Sequence, residues 1–194
     1  MRLKSPRIEP VDMDRLDEEQ QTVLAPLTNP DNMVGGGKVL NIFRTLAHAP
    51  KGLAAFLGWG SYILSRRNSL PPREREIVIL RTGWLCRSGY EFAQHTRIGK
   101  LCGLSDDEVA RIKRGPDAEG WTPLERAMLR ACDELVTDHH VSDATWDDLS
   151  ELGTKGRVDL VMTVGQYTQV SMMLNSFGVQ LEEGDMADPD LTPS

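Results

Sequence analysis

Apolar residues recur at helical spacing along most of this chain, and the strict alternation that marks strands is absent. Leu16, Val23, Leu24 and Leu27 on a polar background predict a short amphipathic helix over 16–27, ending near Asn29-Pro30. Gly35-Gly36-Gly37 then breaks the pattern as a flexible turn. It is no phosphate loop, because GxxxxGK[ST] is missing and Lys38 is followed by Val39 where a hydroxyl is needed. Two helices follow over 39–47 and 52–65, separated by Pro50, and the second carries no charge and is expected to be mostly buried. Ile77-Val78-Ile79-Leu80 would suit a strand or a buried helix. The Pro71-Pro72 start, the charged first turn Arg-Glu-Arg-Glu and the lack of a turn residue before Gly83 favour a helix running to about Arg87.

A helix over 90–102 is stopped by Gly103. Ser105 with Glu108, and Thr122 with Glu125, form two capping boxes, each of which opens a further helix. Ser142 opens a short helix through Leu152, and Thr154 or Lys155 opens the last, which carries Val158, Leu160, Val161, Val164, Tyr167, Val170, Met173, Leu174 and Phe177. The class is therefore all-α, a compact bundle of about eight or nine helices. The pattern divides the chain into an N-terminal helical extension with its Gly-rich turn (1–37), a helical domain (38–181) and an acidic segment without apolar periodicity (182–194), expected to be a mobile tail.

Composition narrows the setting. At 194 residues and 21.6 kDa the chain suits one domain, and 40% hydrophobic with 26% charged residues is the balance of a folded globular protein. A net charge of −7 disfavours nucleic acid and anionic lipid as partners. Three cysteines, Cys86, Cys102 and Cys132, have no CxxC spacing and make neither a disulfide framework nor a zinc pattern. With no apolar stretch behind the basic N-terminal residues, a cytoplasmic location is expected. Residues 160–181 have the length of a membrane span and no charge, but Gln166, Gln169, Asn175 and Gln180 would be costly in hydrocarbon. A helix buried in the protein or at a subunit contact is expected instead, with no membrane partner.

Candidate chemistry is sparse. His48, His139 and His140 lie at predicted helix ends, where a cation meets the helix dipole favourably, and no further ligands join them as a metal set. Glu91 and His95 differ: spacing of four on a helix puts them on one face, close enough to hydrogen-bond. The spacing suits an acid/base pair, and it equally suits a solvated surface contact.

The text around the pair, residues 73–95, resembles the carboxymuconolactone decarboxylase family, the all-helical superfamily that includes the alkylhydroperoxidase D-like proteins. The likeness extends to residues 41–50, to Gly103-Leu-Ser-Asp-Asp-Glu108 and to Gly165-Gln-Tyr167, and so covers roughly residues 38–180. The peroxidase branch has a Glu, eleven residues, a Cys, two, a second Cys, three, and a His. A register starting at Glu74 keeps Cys86 but puts Gly89 and Ala93 where the second cysteine and histidine belong. One starting at Glu76 keeps His95 and puts Ser88 and Glu91 in the cysteine positions, like decarboxylase-like members, with Phe92 where these carry Trp. In either register the CxxC is gone, so disulfide cycling lacks its resolving thiol.

The resemblance implies a decarboxylase-like lyase that uses no cofactor and no metal. Its expected substrate is a small lactone or oxo acid of aromatic-compound breakdown, and its expected assembly a homotrimer or homohexamer. Glu91 and His95 then move the proton and Glu76 orients the imidazole. Ser88, Trp84 and Arg97 are candidates for substrate contact, the arginine (or Arg81) meeting a carboxylate. The alternatives are an atypical alkylhydroperoxidase-like antioxidant protein using Cys86 alone, and a small-ligand-binding scaffold.

Overall fold

The computed structural model describes residues 2–30 and 35–192, and among them there are nine α-helices and no strand. The helices are α1 (Glu18–Leu24), α2 (Asn41–Leu46), α3 (Pro50–Leu64), α4 (Pro72–Leu85), α5 (Gly89–Leu101), α6 (Asp106–Arg114), α7 (Pro123–Thr137), α8 (Asp143–Asp148) and α9 (Gly153–Phe177). Gly35–Gly37 form a turn, and residues 31–34 before it lie outside the description.

The bundle is built around α4, which packs against α5, α6, α7 and α9. This explains why Ile77 to Leu80 show no amphipathic rhythm: all four side chains are fully buried and point to different neighbours. Val78 joins the apolar cluster of α7 and α9, Ile77 and Leu80 join that of α5, α6 and α7, and Ile79 packs with Ile63 and Tyr167. A helix buried all round must be apolar all round, and here that run is read as helix because its neighbours cover every face.

Both capping boxes are present, with Ser105 and Thr122 accepting from the amides of Glu108 and Glu125. The same two glutamates also receive the Arg73 guanidinium, Glu125 at 2.5 Å, so one residue in the first turn of α4 ties the starts of α6 and α7 together. Near the other end of α4, Arg81 grips Asp133 with Nε at 2.6 Å and Nη2 at 2.9 Å and donates to the carbonyls of Ile112 and Lys113. Arg81 is therefore committed to helix packing and is not available to a substrate. Buried Asp159 on α9 accepts from Tyr62 Oη, Ser69 N and Ser69 Oγ, fixing the α3–α4 connection.

Three expectations change. Helix α3, uncharged from Gly52 onward, is not mostly buried. Only Leu53 and Ile63 are fully covered, and Trp59 is 48% exposed, because α3 lies at the edge of the bundle. The segment before α2 is no appendage, since Val11, Leu24 and Leu27 pack in one cluster with Phe43, Tyr90 and Val170. Nor does the acidic segment hang free over its described part, 182–192. Glu182 is buried beneath three hydrogen bonds, Lys113 pairs with Asp188 and Asp190, and Leu191 inserts beside Phe92. Its attachments are polar and singly spaced, so no hydrophobic period announces them. No helix among the described residues is long and apolar enough to cross a membrane.

Candidate active site

α4 and α5 run side by side, and their close approach assembles the site. Gly99 stands one turn beyond His95, and a Cβ there would lie 2.9 Å from Leu104 Cδ1 and 3.6 Å from the Glu76 Cβ. α4 and α5 are thus in van der Waals contact at this turn, with Glu76 beside the face of α5 that carries Glu91 and His95. His95 Nδ1 lies 2.7 Å from Glu76 Oε2, and His95 Nε2 lies 2.9 Å from Glu91 Oε1. All three side chains are buried, which excludes the surface contact that spacing alone allowed.

Burial on its own disfavours an imidazolium, but here the carboxylates of Glu76 and then Glu91, acting by charge and by hydrogen bonds, outweigh it and push the His95 pKa up to about 10. At neutral pH the ring is a cation held between two carboxylates, with both nitrogens donating. His95 is therefore not free to face a substrate directly while the row is intact. The group in the row that can do so is Glu91.

Glu91 and His95 form the polar end of a cavity of about 200 Å³ between α2, α3, α5 and α9, while Glu76 is 1% exposed and sits behind them. The other walls are mainly apolar and include Phe43, Phe56, Leu57, Ile98 and Val170. Leu27 and Leu40, from the segment before α2, complete them. Tyr167 meets the His95 ring edge-on with centroids 4.9 Å apart. Gln94 contributes to the wall, and its Nε2 donates to Glu182 and Asp185 at 2.7 Å each. Tyr90 Oη donates to Glu182 at 2.7 Å, so this phenol is committed to the C-terminal segment.

The remaining candidates lie elsewhere. Trp84 packs on Phe92 beneath Lys113, in the cluster that holds Leu191. Arg97 is exposed and touches Gln94 Oε1 at 3.3 Å without reaching the cavity wall. Ser88 is fully buried in the α4–α5 connection, with its hydroxyl unpaired, and also stays off the wall. Cys86 ends α4 outside the cavity. Burial pushes its thiol pKa up, against the smaller opposing effect of the neighbouring Ser171 and Thr168 hydroxyls, the wrong direction for a reactive thiolate. No group of three or more His, Cys, Asp or Glu among the described residues could hold a metal ion.

Residues 50–134 match the model of the carboxymuconolactone decarboxylase family, a span that contains Glu76, Glu91 and His95. The match covers less than half of the chain, and over that segment the chain is similar to this family. Its fold is that of the alkylhydroperoxidase D-like proteins. A peroxidase-related protein with an alkylhydroperoxidase core from Ralstonia eutropha JMP134 superposes with a TM-score of 0.77 at 20% identity, over 92% of this chain and 93% of that one. A peroxidase-related protein from Silicibacter sp. TM1040 gives 0.74 at 14% identity, over 98% and 95%. A cysteine-to-alanine variant of the debrominase Bmp8, in complex with 2,3,4-tribromopyrrole, gives 0.75 at 14% identity, over 93% and 94%. No curated protein sequence matches the chain. Tyr167 and Gln166 lie outside the matched span, and as part of a helix already explained by its apolar period they carried no separate sign of chemistry.

Proposed function

We propose that this protein is an acid–base enzyme that moves a proton at a carbon next to the carbonyl of a small lactone or oxo compound, as a decarboxylase-like lyase or an isomerase would. The observation that carries this reading is the buried row Glu76–His95–Glu91, which opens at Glu91 onto an apolar cavity. Glu91 takes the proton from carbon. The C–H electron pair becomes the new C=C bond, the carbonyl π pair moves to oxygen, and returning the proton to carbon completes the cycle. The His95 imidazolium holds Glu91 in place in a mainly apolar site, and Glu76 keeps the imidazolium charged. Bmp8, which shares the fold, was captured with a small ring compound, 2,3,4-tribromopyrrole, in keeping with a cavity of this kind.

Loss of CO2 from an acid would need a cation for the carboxylate. The expected arginine, Arg97, is off the wall, so proton transfer is the part of the decarboxylase-like reading that the geometry supports best. Peroxide reduction is disfavoured by the position and raised pKa of Cys86.

The test is deuterium uptake. Small ketones and lactones are incubated with the protein in D2O and followed by NMR, beside assays for CO2 release and peroxide consumption. Exchange above background that Glu91→Gln abolishes supports the proposal. An absence of exchange across the set, or exchange indifferent to Glu91→Gln, overturns it.

A further inference from the structure

The polar groups of the cavity divide into committed and uncommitted ones. Glu91 and His95 are bound to one another, and the Gln94 amide nitrogen is held by Glu182 and Asp185. Tyr167 and Gln166 are different, since neither side chain hydrogen-bonds to the described residues. Of the two, the Tyr167 ring is 5% exposed and lines the cavity against His95, and its hydroxyl is not sealed in the interior, so it is placed to donate to a ligand beside the row.

Charge limits what that ligand is. No Lys or Arg lines the cavity, whereas the Glu91 carboxylate does, and the His95 cation on the wall is already held between Glu76 and Glu91. A carboxylate entering here would lose its water, find no free cation on the wall and lie beside Glu91. Arg75 is off the wall. It is buried, with one nitrogen donating to the Ser65 carbonyl at 3.2 Å and Nε unpaired.

We infer that the cavity selects an uncharged carbonyl compound over a carboxylate, and that Tyr167 is a catalytic residue that hydrogen-bonds to its oxygen as negative charge develops there. This rests on the acid–base reading above and names its substrate class. Glu91 removes the proton at one side of the carbonyl carbon framework while Tyr167 receives the charge at oxygen. A donor aimed at a developing oxyanion in a dry site is the kind of group whose loss slows a reaction far more than it weakens binding. The phenol keeps its proton for this work: burial, then the Glu91 and Glu76 carboxylates, hold its pKa well above the ordinary value. Arg75 acts the opposite way on Tyr167 and is the smallest of these effects.

The test pairs shape-matched probes on the full chain: acetophenone against benzoate, and 2-tetralone against 2-naphthoate. Binding is measured by ligand-observed NMR, and exchange of the ketone α-protons in D2O gives the rate. Ketones are expected to bind, with each carboxylate about tenfold weaker or worse. In Tyr167→Phe, which keeps the ring and its contact with His95, ketone binding should weaken about 2- to 10-fold. Exchange should fall on the order of 10²-fold. Carboxylates that bind as well as ketones, no binding by either ketone, or Tyr167→Phe exchange within a few-fold of wild type overturns the inference. Exchange that persists in Glu91→Gln while Tyr167→Phe removes it sinks the assignment of the base alone.

Discussion

Glu182 offers a direct test of whether the acidic C-terminal segment is structural. Its carboxylate accepts from Asn41 N and Tyr90 Oη at Oε1 and from Gln94 Nε2 at Oε2, each at 2.7 Å, so one side chain ties the segment to the start of α2 and to two turns of α5. Glu182→Ala removes all three acceptors. Gln94 keeps Asp185, and Asn41, as the first residue of α2, can turn its amide toward water. Tyr90 Oη, on a residue 3% exposed, is left with nothing. A stranded buried donor costs about 1–3 kcal/mol, and a hydrogen bond to a charged group contributes about 1.5–3 kcal/mol. Because the three share one carboxylate they do not add fully, and the expected loss is about 3 kcal/mol. For a chain of this size that is a fall in Tm of roughly 6–12 °C. Urea denaturation followed by far-UV circular dichroism measures it, with exposed Glu183→Ala as the control, expected within about 0.5 kcal/mol of wild type. If Glu182→Ala matched that control, the segment would be an unattached tail and the reasoning would be refuted.

Other outcomes follow from the site and the surface. His95→Ala and Glu91→Gln should each lower the α-proton exchange rate by about 10²-fold or more, and the double variant should resemble the worse single one, since both belong to one proton-transfer unit. Additive losses in steady-state assays would separate them. The raised His95 pKa stabilises the fold fully below the unfolded value near about 6.5, and that contribution is lost as pH rises through about 10. Denaturation between these limits should therefore show wild type losing stability faster than His95→Gln, and parallel curves would contradict the imidazolium. Cys86→Ser should leave exchange within a few-fold of wild type, because the thiol is off the cavity wall; a large loss would restore a role for it. Trp59, Val158, Val161 and Met172 leave apolar surface uncovered on α3 and α9, and sedimentation at micromolar concentration should give a mass above the 21.6 kDa of one chain. A monomer there would refute self-association through these faces.

Helix boundaries were legible where a local rule decides them. Ser105 and Thr122 announce α6 and α7 because a capping box is formed by residues three apart, and Gly103 stops a helix by a conformation available to a single residue. What escaped depends on distant partners. The edge position of α3 cannot be read from its uncharged sequence, since an apolar helix looks the same whether its neighbour belongs to its own chain or is missing. The attachment of 182–192 is carried by Glu182, Asp188 and Leu191, three residues whose partners lie on α2, α5 and α6 and in no local pattern.

The site divides along the same line. Glu91 and His95 share a helix face, so their spacing was readable, and Glu76 was placed by the family motif. Whether the row is buried depends on how α4, α5 and α9 pack around it, which no motif states. Substrate contacts were sought among residues near the motif in sequence: Ser88, Trp84 and Arg97. A helix turns each neighbour away by about 100°, which sends Arg97 to another face of α5, while Trp84 lies on α4 and Ser88 in the connection before α5. Trp84 and Arg97 accordingly end in a separate cluster and in solvent. The wall comes instead from residues far away in sequence: Leu27 and Leu40 before α2, Phe56 on α3, and Tyr167 on α9. The cavity beside the proposed catalytic row is therefore walled largely by elements other than the α4–α5 segment, which adds Gln94 and Ile98.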